Sequence, residues 1–233
     1  MPTFDECAFS IELALDERFG RPESVVEGLG DSFAAAVAVI LGQSIDAKKV
    51  AKGLAALAEA GLLEPQALAE ADPAEIVDTL KAFGVSTPAR VISPVRRLAA
   101  WVVSRQESSP DPLRDESIAT GELREELRGL TGIGPATADE ILLLAGHRGV
   151  YPVDRATYRI LVRHGWLDAT AEYDEARSVI ERSGHDDPES LHRFSGWFER
   201  IGREFCKPSV AKCERCPLQP FLPEGGAQDP DAF

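Results

Sequence analysis

Residues 130–154 read LTGIGPATADEILLLAGHRGVYPVD, and no other stretch constrains the fold as far. Gly132-Ile133-Gly134 forms a hairpin that opens a helix. A second break, with Gly146, Gly149 and Pro152, then delivers one carboxylate, Asp154, just ahead of the next helix. A glycine turn at a helix N-terminus presents unpaired backbone N–H groups and the positive end of the helix dipole, which suits a phosphate. A lone acid placed nearby is what cleavage of a glycosidic bond requires.

The rest of the chain agrees with a helical reading. It is rich in Ala, Leu, Glu and Arg, only 7% aromatic, and lacks long β-branched runs, so an all-α protein is expected. Its 233 residues, 44% hydrophobic, can bury a core in one domain or in two small ones sharing an interface. There is no apolar run of about 18 residues and no charged-then-apolar leader, so a soluble, cytoplasmic protein with no membrane partner is expected. Three of the four cysteines cluster near the C-terminus, a pattern that favours metal or iron–sulfur ligation over a disulfide framework.

A net charge of −14 argues against a nucleic-acid partner at first sight. The charges segregate, however. Residues 1–30 carry seven acids and two bases, whereas 87–106 hold four arginines and no acid. Residues 147–164 hold four arginines against Asp154 alone, and 200–217 carry five bases and two acids. The basic segments lie around the motifs. A high-salt cytoplasm or simple solubility are alternative origins of the acidity.

Helices are expected over Phe4–Phe19, Ser32–Leu41 (apolar nearly all round, hence buried), Ala47–Ala60 and from Pro73 to Gly84. Others follow from Thr87 to about Ser104 and over Gly121–Leu130, Pro135–Ala145, Arg155–His164, Tyr173–Arg182 and Asp187–Phe205. Residues 106–120 read as a loop and 224–233 as a disordered tail. A GIG turn alone is an ordinary helix–turn–helix connection. With Pro-x-Thr-Ala-Asp after it and Asp154 lying 20 residues beyond Gly134, it becomes specific. Asp154 also reads as the N-cap of the helix starting at Arg155. That role is compatible with chemistry, because a capping carboxylate is held rigid.

The pattern resembles the helix-hairpin-helix and Gly/Pro-Asp signature of the endonuclease III superfamily of DNA glycosylases. Ile40-Leu41-Gly42-Gln43, Asp46, Phe83-Gly84 and Val153-Asp154 with Tyr158-Arg159 extend the likeness over roughly Ser32 to Cys216. The GIGPxTAD wording is nearest to the 3-methyladenine glycosylase branch. The resemblance implies two helical subdomains flanking a DNA-binding cleft: a six-helix barrel with the hairpin at 30–146, and a terminal subdomain of 1–29 with 147–223. It implies a monomer acting on double-stranded DNA with a damaged base extruded from the stack. Gln43 would enter the duplex. Gly132, Gly134, Thr137, Arg155, Lys207, Lys212 and Arg215 would meet DNA, and Asp154 would stabilise the oxocarbenium-like sugar or assist water.

Two departures stand out. Members that also cut the strand carry a lysine two residues after the second hairpin glycine, and here that place is Ala136, so base removal without strand cutting is implied. The family often holds a 4Fe–4S cluster on cysteines separated by six, two and five residues. Cys206, Cys213 and Cys216 keep the first two spacings, but the fourth place is Leu222. A cluster with a non-cysteine fourth ligand, recruitment of Cys7, zinc completed by a histidine such as His192, and a loop held by packing alone all remain open. Tyr151, Trp101, Trp166, Trp197, Phe33 and His147 are candidates to stack on a base, although each residue type is more often core. Two rival functions stand beside the main one: a bifunctional glycosylase/lyase for oxidised pyrimidines, and a catalytically decayed DNA-binding module.

Overall fold

The computed structural model describes residues 2–185 and 187–228. Among them are eleven α-helices and no strand, only a single β-bridge between Cys206 and Ala211. No helix among the described residues is long and apolar enough to cross a membrane. The chain divides into two compact units, Ser24–Arg148 and the pair Met1–Glu23 with Gly149–Phe233.

The unit Ser24–Arg148 is built around α2 (Ser32–Gly42), whose residues from Ser32 to Leu41 are all buried. Its Asp31 cap accepts hydrogen bonds from the Phe33 and Ala34 N–H groups. With no polar face to show water, α2 must be covered on every side, at about 1.5–3 kcal/mol for each large aliphatic side chain buried. The cover comes from α3 (Ala47–Glu59), α6 (Ala89–Arg105) and α8 (Pro135–Leu144). Outside these lie α5 (Pro73–Ala82) and α7 (Thr120–Gly129). A further helix, α4 (Pro65–Glu70), packs Leu68 toward α6. The sequence reading leaves it out, because six residues are too few to display a helical period and Glu64 provides no side-chain cap. The expected loop at 106–120 is a loop, folded in by arginines. Arg148 donates to the carbonyls of Leu113, Asp115 and Ile118, and Arg114 to those of Gly30 and Ala145.

In the other unit, α1 (Phe4–Phe19) starts with a Thr3/Glu6 capping box and buries Phe4, Cys7, Ala8, Ile11 and Leu15. It packs against α10 (Tyr173–Glu181) and α11 (Pro188–Glu204). Phe4 meets Phe194, Phe198 and Trp166 edge-on. The remaining helix, α9 (Arg155–Arg163), crosses α11 so closely that a Cβ on Gly202 would collide with the Ala156 side chain. Past the predicted start of the tail at residue 224, the Gly226 N–H bonds the Pro223 carbonyl and the Gln228 N–H that of Arg163. Residues 229–233 of that prediction lie outside the described residues.

Candidate functional site

The hairpin between α7 and α8 is fixed from beneath by α6. Ile133 is buried and its N–H returns to the Leu130 carbonyl at 2.9 Å. Gly132 takes φ +95°, where L side chains are strained, and a Cβ there would stand 2.6 Å from Pro94 Cγ of α6. Arg97, also on α6, donates to the Thr131 carbonyl at 2.8 Å. Gly134 is different. Its φ of −84° suits any residue, and a Cβ would meet nothing within 4 Å. It is the N-cap of α8, has no side-chain cap, and is followed by Pro135 at the first helical position. The N-terminal turn of α8 therefore opens onto an exposed glycine with its positive dipole end uncovered.

The two helices of the hairpin are locked by a buried ion pair. Arg124 Nε and Nη2 lie 2.6 and 3.1 Å from the two oxygens of Asp139, a carboxylate with no exposure. Thr137 and Ala136 are half-buried in the first turn of α8, and Ala136 has no group able to attack a sugar. Gln43, at the C-terminal end of α2, is exposed and donates from Nε2 to Glu140 Oε2 on α8 at 2.7 Å. The structure thus brings Gln43 together with the hairpin helix.

Asp154 belongs to the other unit and is the N-cap of α9. Its Oδ1 accepts from the Thr157 N–H at 2.6 Å, and the side chain is half-buried. Behind it the Tyr151 hydroxyl lies 3.1 Å from Thr157 Oγ1. Burial pushes that phenol well above its ordinary range, so Tyr151 remains neutral. Arg155, the first residue of α9, is exposed.

The arginines of α9 hold the cysteine loop. Arg159 donates twice to the Cys206 carbonyl, at 2.8 and 3.1 Å, and Arg163 donates to the carbonyls of Lys207 and Pro208. Cys206, Cys213 and Cys216 line one small cavity with Ile160, Phe205 and Leu222. Arg163 donates to Cys206 Sγ at 3.2 Å. Burial, reinforced by the neighbouring thiols, pushes Cys216 up to about 11, and burial likewise raises Cys213. The fourth family place, Leu222, sits on the cavity wall without a donor atom. No three metal-ligating side chains converge on a common point among the described residues. The donor set present is one ligand short of a closed four-iron site, and no chemistry is derived through one. Cys7 and His192 are not on that wall. The histidine that is, His164, is buried and stacks on Trp166 at 4.4 Å. Lys207, Lys212 and Arg215 are exposed on the loop.

One expectation needs narrowing. The basic segments are partly spent within the fold: Arg96, Arg97, Arg148, Arg159 and Arg163 donate to backbone carbonyls, and Arg105 pairs with Glu122 and Glu126, while Arg90, Arg155, Lys207, Lys212 and Arg215 stay exposed. Of the candidates for base stacking, Tyr151, Trp197, Phe33 and Trp101 are buried and Trp166 is packed against Phe4 and His164, in line with the core role that their residue types favour. Sequence reading missed Pro94, Arg97, Arg124 and Glu140. Asp139 stood within the recognised motif, but nothing local indicates that its partner lies 15 residues upstream.

A family model described as HhH-GPD superfamily base excision DNA repair protein matches residues 37–184. Endonuclease III of Sulfolobus acidocaldarius is 27% identical over 192 residues, 81% of this chain and 80% of its own. A solved structure of a trapped endonuclease III–DNA covalent intermediate superposes with a TM-score of 0.69 at 18% identity, covering 99% of this chain and 98% of that one. H. pylori 3-methyladenine DNA glycosylase bound to 1,N6-ethenoadenine gives 0.62 at 16% identity, covering 87% of this chain and 98% of that one. At such identities the structural likeness carries the fold.

Proposed function

The chain belongs to the HhH-GPD superfamily of base excision DNA repair proteins, and from that premise we propose that it is a monofunctional DNA glycosylase. It hydrolyses the N-glycosidic bond of a damaged base, an alkylated purine, flipped out of double-stranded DNA. It acts as a monomer where the chromosome is, in the cytoplasm or nucleoid.

The observation that carries this reading is Gly134. Neither the backbone angle nor the surrounding space requires a glycine there, since the angle is ordinary and the space around it is open. Close approach by an outside group is the remaining physical reason, and an uncapped helix N-terminus selects an anion such as a DNA phosphate. Gly132 supplies the turn, Thr137 adds a hydroxyl in the first turn of α8, and Gln43 fills the gap left by the extruded base. Arg155, Lys207, Lys212 and Arg215 meet backbone phosphates.

Asp154 stabilises the positive charge that develops on the sugar as the base departs, then assists the attacking water. Its cap bond to the Thr157 N–H uses Oδ1, which holds the carboxylate in one orientation. Ala136 supports hydrolysis without strand cleavage, because a Schiff base needs an amine and alanine has none. An alkylated purine suits such a site: a base already positively charged leaves with little acid assistance. The endonuclease III-like cysteine loop is read as a surface for DNA backbone, held by Arg159 and Arg163.

The test is excision on duplexes each carrying one lesion, with and without alkali, for the wild type and Asp154→Asn. Strand breaks that need alkali and vanish in the variant are expected, on N3- or N7-methylated purines before oxidised pyrimidines. Breaks without alkali would replace this reading with a glycosylase/lyase. DNA binding with no excision of any lesion would replace it with a binding module.

A further inference from the structure

Asp154 ends a buried segment in which two backbone donors are satisfied by side chains of α10. Val150, Tyr151, Pro152 and Val153 are all buried and belong to no helix or strand. Buried backbone N–H groups require partners, and Pro152 has none to satisfy. The Tyr151 N–H donates to Glu181 Oε1 at 2.8 Å, and the Val153 N–H donates to the Tyr173 hydroxyl oxygen at 3.1 Å. Along an extended chain the N–H groups of alternate residues face one side. The side chains of α10 therefore occupy the position that a neighbouring strand would fill.

The support is itself anchored. Arg177 pairs with Glu181 at 3.2 Å and with Asp174 at 3.4 Å. The Tyr158 hydroxyl of α9 lies 3.0 and 2.8 Å from the carbonyls of Ala169 and Ala171, just ahead of α10. Asp154 is thus held through its own cap bond on one side and through two backbone bonds to α10 on the other.

We infer that Tyr173 and Glu181 are positioning residues for Asp154, acting through the backbone of Val153 and Tyr151; this rests on the role given to Asp154 above. Neither touches DNA in this scheme. At 181 the requirement is an acceptor oxygen, and at 173 a hydroxyl oxygen.

The test takes the full chain, the lesion duplex that wild type excises fastest, and single-turnover conditions. It adds binding to a duplex carrying a tetrahydrofuran abasic analogue, and amide hydrogen exchange at residues 151 and 153. Tyr173→Phe is expected to speed exchange at Val153, and Glu181→Ala at Tyr151. Each should lower the excision rate roughly 10- to 100-fold with binding held within about twofold, since a displacement of about 1 Å at a reacting group costs up to about 100-fold. Glu181→Gln, whose amide oxygen still accepts, should keep the rate within about threefold of wild type, which loss of general packing would not predict. Unchanged exchange, faster exchange with an unchanged rate, or rate and binding lost together would each overturn the positioning role and leave Asp154 standing. An Asp154→Asn variant as fast as wild type would remove the role of Asp154, and this inference with it.

Discussion

Replacing Asp139 with alanine tests whether the hairpin is held by charge. In the native fold Arg124 is nearly buried and its guanidinium meets both oxygens of a fully buried carboxylate. Removing one partner leaves the other charge in a low-dielectric interior without its counter-ion, which costs about 3–5 kcal/mol, far more than an exposed pair. For a chain of this size each kcal/mol corresponds to roughly 2–4 °C, so the melting midpoint should fall by roughly 6–20 °C. The double replacement Arg124→Leu with Asp139→Leu removes both charges and should recover most of that loss, to within about 1–2 kcal/mol of wild type. Thermal melts followed by far-UV circular dichroism on the two variants decide the matter. If Asp139→Ala melts within 2–3 °C of wild type, roughly the 1 kcal/mol scale of a surface pair, the desolvation argument fails. If the double variant is no better than the single one, the cost lies in packing rather than in an orphaned charge.

Four further variants have expected outcomes. Gly134→Ala should keep stability within about 0.5 kcal/mol of wild type, since its Cβ enters open space. The same variant should bind duplex DNA at least about tenfold more weakly, by about 1.4 kcal/mol. Gly132→Ala should weaken both, because its left-handed φ alone costs about 1–2 kcal/mol before Pro94 is displaced; equilibrium unfolding and DNA titration separate the two cases. Gly202→Ala should destabilise by about 1–3 kcal/mol in urea titrations, through overpacking where α11 crosses Ala156. Asp187 caps α11, and hydrogen bonds from Ser190 hold its carboxyl below the ordinary range. Its contribution is therefore present above the unfolded pKa and lost as pH falls through the depressed folded value. Asp187→Ala should cost about 1 kcal/mol at neutral pH, and the two proteins should converge in strong acid.

Helix starts were readable in the sequence because they are local. Asp31, Asp46, Asp72, Asp154 and Asp187 all stand at N-caps and accept backbone hydrogen bonds there. Gly61 and Gly84, with positive φ, mark helix ends in the same way. The hairpin and Asp154 were readable because their residue types are tied to backbone geometry at adjacent positions. What escaped the sequence acts at a distance. Arg159 reaches a carbonyl 47 residues away, Arg97 one 34 residues away, and no periodicity announces either. Charge clustering pointed outward for the same reason: a guanidinium spent on a carbonyl looks identical in sequence to one facing solvent. The cysteine spacing was visible, but the cavity wall that excludes Cys7 and includes His164 is a product of packing.

The discontinuous unit carries a consequence for how the protein is made. Helix α1 is synthesised before the rest of its unit, yet its apolar face, with Ile11 and Leu15, packs into a unit completed by residues between Leu191 and Ile201. At about 5–20 residues per second, synthesis of the intervening chain takes roughly 10–40 s. During that interval Ser24–Arg148 has everything it needs to fold, while α1 waits with its hydrophobic side unclaimed. The nascent chain thus carries an aggregation-prone apolar helix face until the unit of α1 is complete. A circular permutant that places α1 after the cysteine loop would shorten that wait.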